Sequence, residues 1–216
     1  MLKVRKLTVN NFEENTYILI DEATSKAAII DPGMLTDYEK KKFDDFIANE
    51  GIKIDQVILT HAHLDHCFGA SYVHDKYGVP VKGHPDDEPL LAGVKAQAIS
   101  FGMPGIISSE PSFDVRLKAG ETITIGESSL KVIHVPGHSP GGIALYSSED
   151  GFVLVGDSLF RGSIGRTDLP GGDHATLLDA IKRGLFTLPG DTLVLPGHGP
   201  VTTIAQEKAN NPFFRN

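Results

Sequence analysis

Short runs of β-branched and aliphatic residues recur along this chain, separated by Gly, Pro, Asn and Asp. The first half carries V-R-K-L-T-V (residues 4–9), T-Y-I-L-I (16–20), A-A-I-I (27–30) and Q-V-I-L (56–59). The second half carries T-I-T-I (122–125), L-K-V-I-H-V (130–135), I-A-L-Y (143–146), F-V-L-V (152–155) and T-L-V-L (192–195). Runs of this kind, bounded by turn formers, predict strands. Between them the apolar spacing becomes helical. Thr36 and Glu39 have capping-box spacing, with Phe43, Phe46 and Ile47 behind them. Leu64, Cys67, Phe68 and Tyr72 form a second stripe. A third helix is expected over about residues 88–99, and a fourth from near His174 through Leu177, Leu178 and Ile181. The mixture predicts an α/β fold, sheets covered by helices. G-M-P-G-I-I-S-S-E-P (102–111) is the least regular stretch and reads as a surface loop or a lid.

At 216 residues the chain suits one large domain or two small ones, with enough length to bury a substantial core. A net charge of −8 gives no general attraction to phosphate backbones, so nucleic acid is not the expected partner. No run approaches the roughly 18 apolar residues of a membrane span, so no membrane association is expected. With one cysteine, Cys67, no intrachain disulfide can form, and the first ten residues lack a signal-peptide pattern. A cytoplasmic location is the resulting expectation.

The chemistry concentrates in T-H-A-H-L-D-H (60–66), which holds three of the nine histidines. His61, His63, Asp65 and His66 fit neither regular element. A helix turns His63 away from His61 and Asp65, and a strand puts His66 on the wrong side. A turn from strand end to helix start can aim all four at one point, and V-I-L before and the Leu64 stripe after supply that setting. The same arrangement recurs. His138 follows the run V-I-H-V, Asp157 follows F-V-L-V-G, His198 follows T-L-V-L-P-G, and Asp31 follows A-A-I-I. Strand ends at a common sheet edge would bring these groups together, and glycine ahead of several of them permits tight turns or close approach. Imidazole and carboxylate together suit zinc, iron or manganese. Five histidines and two aspartates exceed the needs of one tetrahedral ion, so two divalent metal ions are the natural count, zinc the leading choice.

With these motifs in place, the chain resembles the metallo-β-lactamase-fold hydrolases through T-H-A-H-L-D-H, P-G-H-S-P-G, G-D-S and P-G-H-G-P, which occur in the family's order across nearly the whole length. The resemblance implies a single domain over residues 1–216, a four-layer αβ/βα sandwich of two mixed β-sheets flanked by helices. It implies one metal held by His61, His63 and His138, a second held by Asp65, His66 and His198, and Asp157 bridging them. Asp31 would orient a ligand histidine. Within the superfamily the likeness is greatest to the glyoxalase II-like branch, the hydroxyacylglutathione hydrolases. The implied reaction is hydrolysis of a small-molecule acyl thioester, such as an S-2-hydroxyacylglutathione, by a metal-bridged hydroxide, with Asp65 as a catalytic group. Two departures stand out. The residues after G-D-S are R-G-S-I-G-R-T-D-L-P-G-G (161–172) rather than the glutathione-holding G-K-F-Y-E-G type, and a C-terminal helical domain is not expected after Asn216. Short bacterial members with G-S-I-G-R-[ST]-D and an N-P-F ending are similar through residues 162–168 and 211–213.

Two other functions remain at this level. One is a persulfide dioxygenase with a single iron on His61, His138 and Asp157, which G-R-T-D (165–168) also fits. The other is a non-catalytic, metal-stabilised binding module. Arg161 and Arg166 follow Asp157 closely and are candidates for a substrate carboxylate, or for surface ion pairs. Of the other histidines, His74 reads as solvated, His84 as loop, His134 as packed within a strand and His174 as a helix start. Cys67 falls in an apolar stripe and reads as core, and Asp86, Asp87 and Glu88 read as a helix N-terminus.

Overall fold

The computed structural model describes residues 1–107 and 109–215. Two six-stranded sheets form the centre. The first contains, in order, β1 (Leu2–Val9), β2 (Glu14–Asp21), β3 (Lys26–Ile30), β4 (Lys53–Ile58), β5 (Val81–Gly83) and β6 (Val115–Arg116). It is antiparallel from β1 to β3 and parallel from β3 to β6. The second contains β7 (Thr122–Ile125), β8 (Ser128–His134), β9 (Ile143–Ser147), β10 (Phe152–Gly156), β13 (Leu193–Pro196) and β14 (Thr202–Thr203). Here only β10 and β13 are parallel. A hairpin of β11 (Leu159–Phe160) and β12 (Ser163–Ile164) stands apart.

Strand alternation builds the layers. In β2, Tyr17 and Leu19 face the second sheet, where they meet Ile125, Val132, Leu145 and Leu154. Ile18 and Ile20 face the opposite way, onto Phe43, Leu64 and Val73 of the outer helices. Both faces of β2 are therefore buried, which explains an apolar run where a solvated strand would alternate. The outer face of the second sheet, with Val135, Val153 and Val194, packs on Leu177, Ile181 and Ile204. The result is the four-layer sandwich of two mixed sheets between helices.

The helices follow the apolar stripes but break where backbone chemistry intervenes. α1 (Asp37–Asn49) begins with the expected capping box of Thr36 and Glu39 and buries Phe43 and Ile47. The second stripe divides into α2 (Leu64–Cys67) and α3 (Ala70–Tyr77) at Gly69, whose N–H bonds to Pro32 O at 2.7 Å. The third divides at Gly93 into α4 (Glu88–Ala92) and α5 (Val94–Ser100). α6 (His174–Ala180) is capped by Asp173 and runs on through a wider turn over Ile181–Leu185. α7 (Ile204–Asn210) closes the second sheet. The irregular stretch after α5 forms no regular element among its described residues, and Ile107 is buried against the helices. Ser108 of that stretch lies outside the described residues. Among the described residues, no helix is long and apolar enough to cross a membrane.

Candidate metal centre

The strand ends that carry imidazoles and carboxylates meet at one edge of the sandwich. β4 delivers His61, His63, Asp65 and His66 through the turn into α2, β8 leads to His138, β10 to Asp157 and β13 to His198. The two sheets are tied together there. Asn15 at the start of β2 donates its backbone N–H to Gly197 O at 2.7 Å and its side-chain amide to Pro196 O and Gly199 O. Thr60 O accepts the N–H of Ile143 from the second sheet at 2.8 Å.

Two donor sets result. In the first, His63 Nδ1 and His138 Nε2 are 2.8 Å apart, and His138 Nε2 and His61 Nε2 are 3.2 Å apart. In the second, His198 Nε2 lies 3.1 Å from Asp65 Oδ2 and 3.2 Å from His66 Nε2, which is 3.6 Å from Asp65 Oδ2. Asp157 lies between them, with Oδ2 at 3.7 Å from His138 Nε2 and 3.5 Å from His198 Nε2, and Oδ1 at 3.4 Å from His66 Nε2. The seven side chains proposed from sequence are thus brought together.

The far nitrogens of four rings are fixed by acceptors. His138 Nδ1 donates to Arg166 O at 2.7 Å, His198 Nδ1 to Phe12 O at 2.9 Å and His66 Nδ1 to Asp31 Oδ2 at 3.1 Å. Thr60 Oγ1 gives its hydrogen to Asp31 Oδ2 at 2.6 Å, so its lone pair accepts from His61 Nδ1 at 3.1 Å. Each ring therefore carries its proton on Nδ1 and turns a bare Nε2 inward. Lone pairs converging at these separations repel one another unless a cation or proton sits among them. Tetrahedral zinc with nitrogens at about 2.05 Å has ligand–ligand edges of about 3.3 Å, close to those observed. Asp157 Oδ1 is buried with no hydrogen-bond partner in the protein, as expected of an atom that faces a cation. The residues fit two divalent cations.

Burial, reinforced by the neighbouring imidazoles, pushes His61 well below the ordinary imidazole range and His63 down to about 3. For Asp157 burial acts upward, but His66, His138 and His198 outweigh it and hold the carboxyl well below its ordinary value. Asp65 is lowered in the same way by His66 and His198. At His66 and His198 burial acts downward, but the Asp157 and Asp65 carboxylates outweigh it and raise both rings. Neutral imidazole and ionised carboxylate are the forms a cation requires, so a cation entering between these groups displaces a proton.

Glycine admits these side chains to a crowded corner. Gly156, just before Asp157, has φ +49°, and a Cβ there would overlap Thr60 Oγ1. A Cβ on Gly197, just before His198, would overlap Asp157 Oδ1 and lie 2.6 Å from His66 Cε1.

Several residues that hold the centre carry no motif. Asp87 is buried and accepts the N–H of Ala62 at 2.9 Å, the hydroxyl of Ser139 at 2.9 Å and the N–H of Gly141 at 2.6 Å. The reading as a helix N-terminus gave it the right element but missed this link between two ligand loops. Gln97 on α5 accepts the N–H of Leu64 at 3.2 Å and donates to Ala62 O at 3.0 Å and Leu90 O at 2.8 Å. Glu14 is buried behind His66, and burial raises its carboxyl well above the ordinary value. A helical run of acids, a polar residue in an amphipathic helix and an isolated glutamate give no local signal, because their partners are remote in sequence.

The remaining candidates are dispersed. Arg166 lines the cavity over the centre, but its Nε and Nη2 donate to Asp168 at 2.7 and 2.8 Å. Arg161 is exposed beside the β11–β12 hairpin and is not among the residues lining that cavity. The hairpin is braced from the C-terminal end, where Asn211 Nδ2 donates to Ser163 O and Glu207 accepts the N–H of Gly162. This joins the two motifs, G-S-I-G-R and N-P-F, in one structural unit. His84 lies in the loop before Pro85, as expected, and is buried there, stacked on His134 at 4.2 Å with rings 10° from parallel. Parallel rings direct their lone pairs along separate planes, and His134 Nε2 is spent on Pro140 O, so this pair does not share the geometry of a metal site. His74 is partly exposed on α3, His174 starts α6 and Cys67 is buried in the core.

Comparison with known proteins agrees with this geometry. The profile of the Metallo-beta-lactamase superfamily matches residues 10–198. A probable metallo-hydrolase, YqgX of Bacillus subtilis, is 36% identical over 99% of this chain and 98% of its own length. The hydroxyacylglutathione hydrolase GloC of Haemophilus influenzae is 34% identical over 100% of this chain and 99% of its own. Among solved structures, the BLEG-1 B3 metallo-beta-lactamase superposes with a TM-score of 0.90 at 34% identity, over 99% of this chain and 100% of that one. TTHA1623 in a di-iron-bound form superposes with a TM-score of 0.86 at 38% identity, over 97% of this chain and 99% of that one. The chain belongs to the metallo-β-lactamase superfamily.

Proposed function

We propose that this protein is a metal-dependent hydrolase of acyl thioesters, working with two divalent cations. The observation that carries this reading is the pair of complete donor sets, His61–His63–His138 and Asp65–His66–His198, with Asp157 between them. Bound there, the cations would activate water and polarise a carbonyl. The alternative is a dioxygenase with a single iron on His61, His138 and Asp157; G-R-T-D is followed here by Leu169 and Pro170 rather than F-Q, which favours the hydrolase.

The chain's own residues supply the rest. Asp65, with its side chain 13% exposed at the cavity, can hold a cation through Oδ2 and accept a hydrogen bond at Oδ1. Asp31 and Thr60 hold the His66 and His61 rings in the metal-binding tautomer. Phe12, Leu64 and Phe101 line the cavity over the centre and restrict water. Apart from the donor set, Arg166 is the one titratable side chain among the residues lining that cavity. An amide leaving group needs an acid to protonate it, whereas a thiol of pKa about 8.5 departs as thiolate unaided. This supports a thioester as substrate, as does the likeness to GloC.

The test is metal analysis followed by assay of the loaded protein on S-lactoylglutathione and on N-acetylcysteamine thioesters. Oxygen uptake with glutathione persulfide and hydrolysis of a β-lactam are measured in parallel. Two metals per chain with thioester cleavage support the reading. One iron with oxygen uptake, or β-lactam turnover alone, overturns it.

A further inference from the structure

The metal centre opens into two adjoining cavities. One, of about 210 Å³, lies over the donor set beside Asp65, His138, Asp157 and His198. The other, of about 290 Å³, leads away from His63 between α4, α5 and the turn at Leu169 and Pro170. They adjoin, with His63, Gln97, Phe101 and Leu169 lining both.

The outer cavity is apolar. Its walls are Pro89, Leu90, Ala96, Phe101, Leu169 and Pro170. Of the uncharged polar side chains beside them, Gln97 and Ser100 turn their donors into the protein, and His63 presents a ring whose Nε2 has no hydrogen-bond partner. Gln97 spends its amide on Ala62, Leu64 and Leu90, and Ser100 Oγ donates to Gln97 O at 2.7 Å. Nor do the walls offer a free cation. Among the described residues lining the two cavities, Arg166 is the sole permanent cation, and its guanidinium is forked onto Asp168. Apolar walls with few polar groups select an apolar ligand.

We propose that this channel holds the apolar acyl chain of the thioester, so that the enzyme selects its substrates by acyl chain length. The assignment of an acyl chain rests on the thioesterase reading. The carbonyl sits at the donor set and the chain runs past His63 toward Ala96. A volume of about 290 Å³ equals roughly ten waters at about 30 Å³ each, and a methylene fills about the same space, so there is room for a chain of up to about ten carbons.

The experiment uses the metal-loaded protein and a ladder of N-acetylcysteamine thioesters from acetyl to decanoyl, with S-lactoylglutathione alongside. In parallel, calorimetry measures binding of uncleavable analogues in which a methylene separates sulfur from the carbonyl. The channel predicts that kcat/KM and affinity both rise about three- to fourfold per methylene along the ladder. Ala96→Trp, which fills the channel from α5, is expected to lower the hexanoyl-to-acetyl ratio at least tenfold in both readouts. A flat ladder in both readouts, or S-lactoylglutathione outpacing the hexanoyl thioester, overturns the channel. If no thioester is cleaved while analogue affinity still climbs with chain length, the apolar channel stands and the thioesterase reading falls.

Discussion

Asp87 accepts the backbone N–H of Gly141 at 2.6 Å with one carboxyl oxygen and that of Ala62 at 2.9 Å with the other. One side chain thereby spans the two loops that carry His61, His63 and His138. Asp87→Ala leaves both N–H groups and the Ser139 hydroxyl unpaired in a buried place, at a cost of about 3 kcal/mol. It is expected to weaken metal binding at the first site by about 10- to 100-fold. Chelator competition on the purified variant checks this, and unchanged affinity would show that the loops hold their positions without the link.

Thr60 separates the two sites. Its hydroxyl lies between Asp31 and His61, whereas Asp31 reaches His66 directly. Thr60→Val is therefore expected to weaken the first site by about tenfold and leave the second near its original affinity. Asp31→Ala is expected to weaken both. Stepwise metal titration distinguishes the two variants, and equal losses at both sites in Thr60→Val would refute the relay.

The backbone before His198 has no spare room. An added methyl at Gly197 would overlap Asp157 and crowd His66. Gly197→Ala is expected to reduce bound metal from two equivalents toward one and to lower the melting temperature. Two tightly held metals in this variant would contradict the packing described.

How much of this is legible in the sequence depends on where each partner lies. The strand cores are readable because β-branched runs alternate between two buried faces, as Tyr17 and Ile18 do. The seven donor residues are readable because each follows such a run, a regularity that repeats four times. Asp87 and Gln97 are not, because what makes them matter is contact with loops dozens of residues away. The broken helices at Gly69 and Gly93 are hidden for a similar reason, since the apolar stripe continues across each break. β6 and β14, two residues each, are too short to show a period. α7 did offer a local sign, Thr203 placed to cap Gln206, but it is only seven residues long.

Asp21 makes acid stability testable away from the metals. The hydroxyl and N–H of Thr24 and the hydroxyl of Ser128 hold its carboxyl at about 2 despite burial. An unfolded aspartate titrates near about 3.9. The folded state therefore binds its proton less readily, and the stabilisation is complete above about pH 4 and lost as pH falls through about 2. In urea unfolding of the metal-free proteins, the difference between wild type and Asp21→Asn is expected to shrink across that window. A difference that stays constant would remove Asp21 as its source.

The most direct test adds zinc stepwise to metal-free protein and follows cleavage of the hexanoyl thioester of N-acetylcysteamine. The two donor sets predict that turnover requires the second equivalent and saturates there, and that Asp65→Ala stays inactive at every ratio. Turnover that saturates at one equivalent, or none at two, would contradict a two-metal thioesterase.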